Sequence, residues 1–318
     1  MKINFLASIP DEGWAVPYCS AVIDACEQSG DCEIYRTDGM SEAEVFRLVM
    51  SARKCDVWYS ANILDIWMKP LVIKSNIEGS KIVVHNHGGM ETHDIVSLVL
   101  GNEDTQMLPI AASSSFGVHV LFNTEHNRTA FEDYYGTCMA NSHVVGFPVR
   151  RPARQVDKIK RILVPGRFCA TKNTHLAAEI LLPFADSVVF STMHTKKCDY
   201  WKMLESLGYD VVTAVGQAFD KLLYESQIVF TASMSDSFNS SIAEAASFGA
   251  SVVAPDWGPF PEYVNDAGLY NAFSVDMARG RVRLFLSMGK EAPKSDVSMF
   301  YRDKFIDRVK KVLRKLEP

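Results

Sequence analysis

Arg167 and Lys172 share one loop of this 318-residue chain, and Asp236 and Glu244 stand at the two ends of another segment. The two cations follow Pro165-Gly166 in RILVPGRFCATKNTHLAAEIL, where an apolar run ends and a helix should begin. Paired cations beside a helix N-terminus form a receptor for a diphosphate, because unpaired backbone N–H groups and the helix dipole add to their charge. Read alone, the same two residues are also compatible with solvated loop charge. The carboxylates belong to Ser226–Val264, SQIVFTASMSDSFNSSIAEAASFGASVVAPDWGPFPEYV. This stretch reads as a buried strand, a polar turn, a short small-residue helix ending at Gly249, a second buried strand and a Gly/Pro-rich turn. That layout suits a phosphate and a sugar held at a helix start. Asp236 is also a natural N-cap or turn residue, and the two roles are compatible.

A second cluster is His85-Asn86-His87-Gly88-Gly89-Met90-Glu91-Thr92-His93-Asp94. Histidines beside a Gly-Gly turn suit hydrogen bonding to a polyhydroxylated ligand. Their spacing matches neither HExxH nor another metal-ligand pattern, so no metal is expected. The first apolar run leads into Ser8-Ile9-Pro10-Asp11-Glu12-Gly13-Trp14, where Gly13 either contacts substrate or sits in a plain loop. A lone glycine does not make the GxGxxG dinucleotide fingerprint. Trp14 packs, or stacks on a sugar or base. Glu125-His126, at the start of a helix just past the fifth run, is a further candidate, or the turn is simply a helix start capped by Thr124. The seven cysteines are scattered and form no CxxC pair, which argues against a disulfide framework and a zinc site.

The elements that must position these residues alternate. Apolar runs Ile3–Ser8, Cys32–Arg36, Val57–Ser60, Lys81–His85 and His119–Thr124 are separated by segments of helical period such as Tyr18–Gln28 and Glu42–Ala52. Strand–helix alternation of this kind predicts a parallel, doubly wound α/β sheet. Phe147–Lys160, FPVRRPARQVDKIK, interrupts the pattern and reads as a basic linker. Strands then resume at Arg161–Pro165, Ser187–Ser191, Asp210–Ala214, Gln227–Thr231 and Ser251–Ala254. Ser298–Leu316 reads as an amphipathic helix with the stripe Phe305, Val309, Val312 and Leu316, docked on a domain surface. The composition, 47% hydrophobic and 22% charged with a net charge of −5, gives no global pull toward nucleic acid or an anionic membrane. No apolar stretch nears the roughly 20 residues of a membrane span, and the first residues, with a short apolar run followed by acids, are not expected to act as a signal peptide. A cytoplasmic protein without integral membrane association is expected.

Three segments, in this order, resemble the retaining glycosyltransferases of the GT-B fold, in the large family 4 that includes sucrose and trehalose synthases and mannosyltransferases. They are GR-x4-K at Gly166-Arg167…Lys172, the E-x7-E segment at Asp236…Glu244 followed by EAASFGASVVAP, and a turn similar to D-x-G-G-x-P-E at Asp256-Trp257-Gly258-Pro259-Phe260-Pro261-Glu262. The likeness covers the second half well. In the first half it rests on strand–helix order, the His-Gly turn and VLFNTEHNRTAF.

The resemblance implies two Rossmann-like doubly wound domains facing a cleft. Residues 1–152 would be the acceptor domain, 153–297 the donor domain and 298–318 a C-terminal helix. Gly166, Arg167 and Lys172 would hold the donor's diphosphate, and Glu244 would accept hydrogen bonds from the ribose. Asp236, at the family's first Glu, would bind the donor sugar, and the amides of Phe238, Asn239 and Ser240 would face the phosphate. Gly13 would lie on the donor side. One of His85, His87 or His93 would contact the sugar, with His87 favoured because it abuts the Gly-Gly turn. Two departures stand out: Asp at 236 is shorter than Glu by roughly 1.5 Å, and Ser237-Phe238-Asn239 replaces GFG.

The implied reaction moves a hexose from a UDP-glucose-type donor to a hydroxyl with retention, and no metal or other cofactor is required. The acceptor is a saccharide or, as in phage DNA glucosyltransferases, a hydroxymethylated pyrimidine in DNA. Arg150, Arg151, Arg154, Lys158, Lys160 and Arg161 would then track a phosphate backbone, or else they form a solvated linker. A non-catalytic nucleotide-sugar binder, a GT-B epimerase and a phosphorylase are the other classes compatible with these motifs.

Overall fold

The computed structural model describes residues 1–9, 15–61, 65–87, 117–135, 140–152 and 156–317. Gly13, Trp14 and His93 lie outside them. The chain divides into two compact units, Met1–Pro148 with Arg302–Pro318, and Val149–Tyr301.

The first unit is built from β1 (Lys2–Ala7), α1 (Ala15–Glu27), β2 (Asp31–Arg36), α2 (Glu42–Ser51), β3 (Val57–Ser60), α3 (Asp65–Glu78), β4 (Lys81–Asn86), β5 (Val118–Phe122), α4 (Glu125–Tyr135) and β6 (Ser142–Val144). Its strands form one six-stranded sheet in the order β2-β1-β3-β4-β5-β6, paired in parallel throughout. β3 is buried along its whole length and β1 and β4 are buried beyond their first residues. Helices on both faces of a parallel sheet require such continuous apolar runs. Strand β6 gave no such signal: Ser142, His143 and Val144 are only half-buried on the sheet edge.

The second unit comprises β7 (Ile159–Pro165), a 3₁₀ turn (Ala170–Lys172), α5 (Thr174–Leu181), β8 (Val188–Thr192), α6 (Asp199–Ser206), β9 (Asp210–Thr213), α7 (Gly216–Glu225), β10 (Ser226–Phe230), α8 (Ser240–Ser247), β11 (Ser251–Pro255), β12 (Leu269–Tyr270) and α9 (Val275–Met288). Its sheet order, β12-β11-β10-β7-β8-β9, is the Rossmann arrangement. From β7 the chain winds outward through β8 and β9, then returns to lay β10 against β7's other edge. The switch point of the sheet therefore lies between β7 and β10, and the loops leaving their carboxyl ends diverge there.

Residues read as a basic linker are instead anchored in this unit. Val149 donates its N–H to the Phe300 carbonyl at 2.8 Å. Lys158 Nζ reaches the carbonyls of Leu223 and Tyr224 at 3.3 and 2.7 Å, and Arg161 pairs with Glu225 at 3.3 Å. These partners are more than sixty residues away in sequence, so the stretch looks solvated when read locally.

The C-terminal helix, α10 (Arg302–Arg314), belongs to the first unit. Its stripe of Phe305, Val309, Val312 and Leu316 is buried, widened by Ile306 and Leu313. Arg302 ties it to α1 through Asp24 at 2.6 Å and Ser20 at 2.9 Å.

At the carboxyl end of β4 the first unit encloses a chain of neutral groups. His85 is fully buried, with Nε2 2.9 Å from the Asn123 Oδ1 and Nδ1 3.0 Å from the Tyr18 hydroxyl. Asn123 Oδ1 can only accept, so Nε2 carries the ring proton and Nδ1 accepts from Tyr18. Tyr18 in turn lies 3.3 Å from the Tyr59 hydroxyl. The His87 ring stacks on His85 at 4.3 Å, and its Nε2 donates to the Ala61 carbonyl at 3.0 Å. Burial withholds water from a charged ring, which pushes His87 down to about 3 and His85 well below its usual value.

An unfolded histidine takes up its proton near pH 6.5. Below that pH the unfolded chain binds protons that the folded chain refuses, so stability falls as pH drops. Urea titrations between pH 7 and pH 4 should show unfolding free energy declining by up to about 1.4 kcal/mol per pH unit for each buried histidine. His85→Gln should flatten that slope; an identical slope in the variant would contradict the neutral buried ring.

Candidate functional site

The loop leaving β7 starts at Gly166, whose φ of 136° lies in a region closed to side chains although the space around it is open. Its N–H donates to Ser191 O at 2.9 Å. Arg167 comes next, exposed, with no side-chain partner among the described residues. Lys172 ends the 3₁₀ turn, and Asn173 takes a left-handed conformation (φ 49°, ψ 44°) that redirects the chain into α5. Thr174 Oγ1 accepts from the Cys169 N–H at 3.1 Å. Two bonds fasten this loop to the one leaving β10: Asn173 Nδ2 to Ala232 O at 3.0 Å, and Ser233 Oγ to Thr171 O at 3.4 Å.

In the β10 loop, Asp236 forms an ion pair with Lys172 and accepts from Asn239 Nδ2 at 2.9 Å on its other oxygen. The Asp236 side chain is 9% exposed, so this pairing takes place largely out of water. Asn239 adopts φ 60° and ψ 75°, a left-handed geometry asparagine tolerates, and caps α8 by accepting from the Ile242 N–H at 3.4 Å. Phe238 points inward. Its ring meets Phe300 at 4.9 Å and Tyr263 at 5.2 Å, and its carbonyl accepts from the Tyr263 hydroxyl. The SFN turn is thus held by the buried Phe238, which the GFG pattern shares, and by the left-handed Asn239, which stands at one of that pattern's glycines. Trp257 in the turn after β11, 44% exposed, donates its indole N–H to Met234 O at 3.2 Å.

Glu244 faces inward from α8, and both its oxygens engage Arg150, Oε1 with Nε at 2.7 Å and Oε2 with Nη2 at 3.0 Å. Arg150 also forks onto Asp220 at 2.7 and 3.0 Å, lies over the Phe248 ring at 5.6 Å, and has its carbonyl bonded by Ser247 Oγ at 2.7 Å. The two carboxylates hold its guanidinium firmly protonated. This carboxylate–arginine–carboxylate cluster was not visible in the sequence, because Arg150 sat in an apparent linker and Asp220 carries no motif.

The basic strip proposed to track a phosphate backbone is largely committed within the second unit: Arg150 to this cluster, Lys158 to carbonyls, Arg161 to Glu225, and Arg151 over the Tyr301 ring at 4.8 Å. Arg154 lies outside the described residues. Nothing in this arrangement favours a nucleic-acid acceptor.

The structure therefore brings Gly166, Arg167, Lys172, Asp236, Phe238, Asn239 and Ser240 to the carboxyl ends of two neighbouring strands, with Glu244 farther along α8. His85 and His87 stand at the corresponding end of β4 in the other unit. Gly13 and His93 fall outside the described residues. Among the described residues, no group of three His, Cys, Asp or Glu side chains is placed to hold a metal ion, and no helix is long and apolar enough to cross a membrane.

No family model matches the chain, and no curated protein matches it. Solved structures do. The apo form of the lipopolysaccharide outer core galactosyltransferase WaaB superposes with a TM-score of 0.72 at 14% identity, covering 99% of both chains. Anabaena HepE in complex with UDP-glucose gives 0.70 at 16%, covering 99% of this chain and 100% of its own. Sucrose-phosphate synthase from Thermosynechococcus elongatus gives 0.67 at 10%, with coverage of 99% and 94%. These neighbours are GT-B glycosyltransferases, and the chain, with its two parallel six-stranded α/β sheets, shares their two-domain GT-B fold.

Proposed function

We propose that this chain is a retaining hexosyltransferase that takes a sugar from a nucleoside-diphosphate donor of the UDP-glucose type and places it on a hydroxyl acceptor, in a cytoplasmic setting. The observation that carries the reading is the convergence of Arg167, Lys172 and the α8 N-terminus with Asp236 at the switch point between β7 and β10. The UDP-glucose complex of HepE, a protein of the same fold, supports the donor class.

In this reading the cations and the first amides of α8 stabilise the departing diphosphate as the C1–O bond breaks. The acceptor oxygen bonds to C1 on the same face, and its proton passes to the leaving phosphate oxygen. Asp236 exchanges Lys172 for hydroxyls of the donor sugar, and Glu244, fixed by Arg150, accepts from the ribose. A carboxylate has about four acceptor positions, so the bonds to Arg150 leave room for this. No side chain is asked to act as a covalent nucleophile.

Thermal-shift and calorimetric screens of nucleotide-sugars should identify a donor, since a ligand of the native state alone raises stability. Arg167→Ala and Lys172→Ala should each lower kcat/KM for it by about a hundredfold or more. Unchanged donor affinity in both variants would discard the site. NMR of the first-formed product should show the donor's anomeric configuration, and an inverted centre would end the retaining mechanism. A chain that binds the donor yet never releases UDP, with or without acceptors, would be a binding protein and no transferase.

Asp236→Asn and Arg150→Lys separate the roles further. Asp236→Asn frees Lys172 for phosphate, so UDP should bind at least as tightly as to the wild type while sugar transfer collapses. Arg150→Lys keeps the charge but loses the fork, and should raise KM for the donor by about tenfold with kcat little changed. A fall in kcat at constant KM would place Arg150 in the chemistry itself.

A further inference from the structure

α9 is apolar on two opposite sides. Its inner side, Ala278, Val282 and Phe285, is buried in the core of the second unit. Its outer side presents Met277, Leu284 and Met288, exposed by 40%, 46% and 37%, and Phe273 just ahead of the helix is 87% exposed. At 3.6 residues per turn, Met277, Gly280, Leu284 and Met288 fall within about 80° of arc and run for about 17 Å. Isolated exposed apolar residues need no explanation, but an aligned row does.

The borders of the row are basic. Arg281 and Arg283 project on opposite sides of it, about 60° and about 100° from the stripe's midline. Arg283 is exposed and has no partner among the described residues. Arg281 spends only Nε, on Leu269 O at 3.3 Å. Arg279, farther round, is bonded to the carbonyls of Ile180 and Glu179 at 3.1 and 2.7 Å. Of the acids near the row, Glu291 follows its end, and Asp276 stands at its start on the same side as Arg283, about two turns before it.

We propose that this face of α9 docks on an anionic lipid surface. Phe273, Leu284 and the two methionines would enter the headgroup–acyl boundary, while Arg281 and Arg283 extend sideways to lipid phosphates. Arginine suits that task because its fork binds phosphate in two-pronged fashion. A second copy of the chain fits less well: pairing two such stripes about a twofold axis brings arginine borders together. The helix lies on the surface and does not cross it, in keeping with its fourteen residues. The inference uses none of the donor-site residues and stands or falls apart from the proposed reaction.

Flotation of the full chain with vesicles of phosphatidylcholine alone, and with vesicles that also contain phosphatidylglycerol, tests it. The wild type should float with the anionic vesicles, weakly or not at all with the neutral ones, and less at high salt. Arg281→Gln and Arg283→Gln should each weaken binding about fivefold, and Leu284→Glu by more. Arg283 and Leu284 are exposed, so the thermal midpoints of their variants should match the wild type and exclude misfolding as the cause. Failure of the wild type to bind anionic vesicles overturns the proposal, as does Leu284→Glu binding as well as the wild type. A wild-type dimer in sedimentation equilibrium that Leu284→Glu dissociates, with no vesicle binding, would assign the face to a second copy and also overturn it.

Discussion

The parallel pairing of β7 with β10 is the constraint from which the rest of the second unit follows. These strands are separated in sequence by two strand–helix units, yet Ile162 lies opposite Ile228 and Leu163 opposite Val229. Because strand connections in such sheets are right-handed, a chain that winds one way from β7 and then returns to its other edge must send the two loops to opposite faces. A crevice forms where they part. Gly166–Asn173 and Ser233–Asn239 border that crevice, and the Asn173–Ala232 and Ser233–Thr171 bonds keep their spacing fixed. The charged groups are thus placed by backbone geometry before any ligand arrives, the preorganisation that electrostatic catalysis depends on.

Charge is distributed unevenly over this frame. Lys172 and Asp236 neutralise each other, whereas Arg167 is an exposed cation without a side-chain partner among the described residues. In the proposed reading, an arriving diphosphate would meet Arg167 first and compete with Asp236 for Lys172. Deeper along α8, Arg150 sits between two carboxylates, so that cluster carries a net negative charge and disfavours phosphate. The same helix therefore offers positive potential at its start and acceptor oxygens one turn on. A nucleoside diphosphate has the matching order, an anion followed by a ribose with hydroxyl donors.

Much of this fold was legible in sequence because β-strands buried on both faces must be apolar without interruption. Val57–Ser60 is a strand with the expected ends, and most others differ by a residue or two. β6 and β12 were missed for the same physical reason: three half-buried residues and a two-residue edge pair generate no run. The motif residues of the second unit were legible through spacing, since a loop and a helix start impose local residue choices. The Arg150–Asp220–Glu244 cluster was not, because salt bridges are formed by side chains that meet only after folding. The supposed linker illustrates the point, as its cations looked solvated only while their partners were unknown.

The SFN turn shows how a departure from a glycine pattern can be tolerated. Glycine permits a left-handed residue at no steric cost but contributes nothing to holding it. Asn239 adopts that conformation and returns two hydrogen bonds, one to the Ile242 amide and one to Asp236. Phe238, at the position of the pattern's own Phe, packs its ring against Phe300 and Tyr263. The turn is consequently fastened on three sides, and Asp236 is oriented by Asn239 as well as by Lys172. A shorter carboxylate on a stiffer turn reaches less far and adapts less than a glutamate flanked by glycines. The selectivity of the proposed donor site should therefore be set at the sugar more than at the diphosphate, where Arg167 and Lys172 keep the GR-x4-K spacing that the sequence resembles.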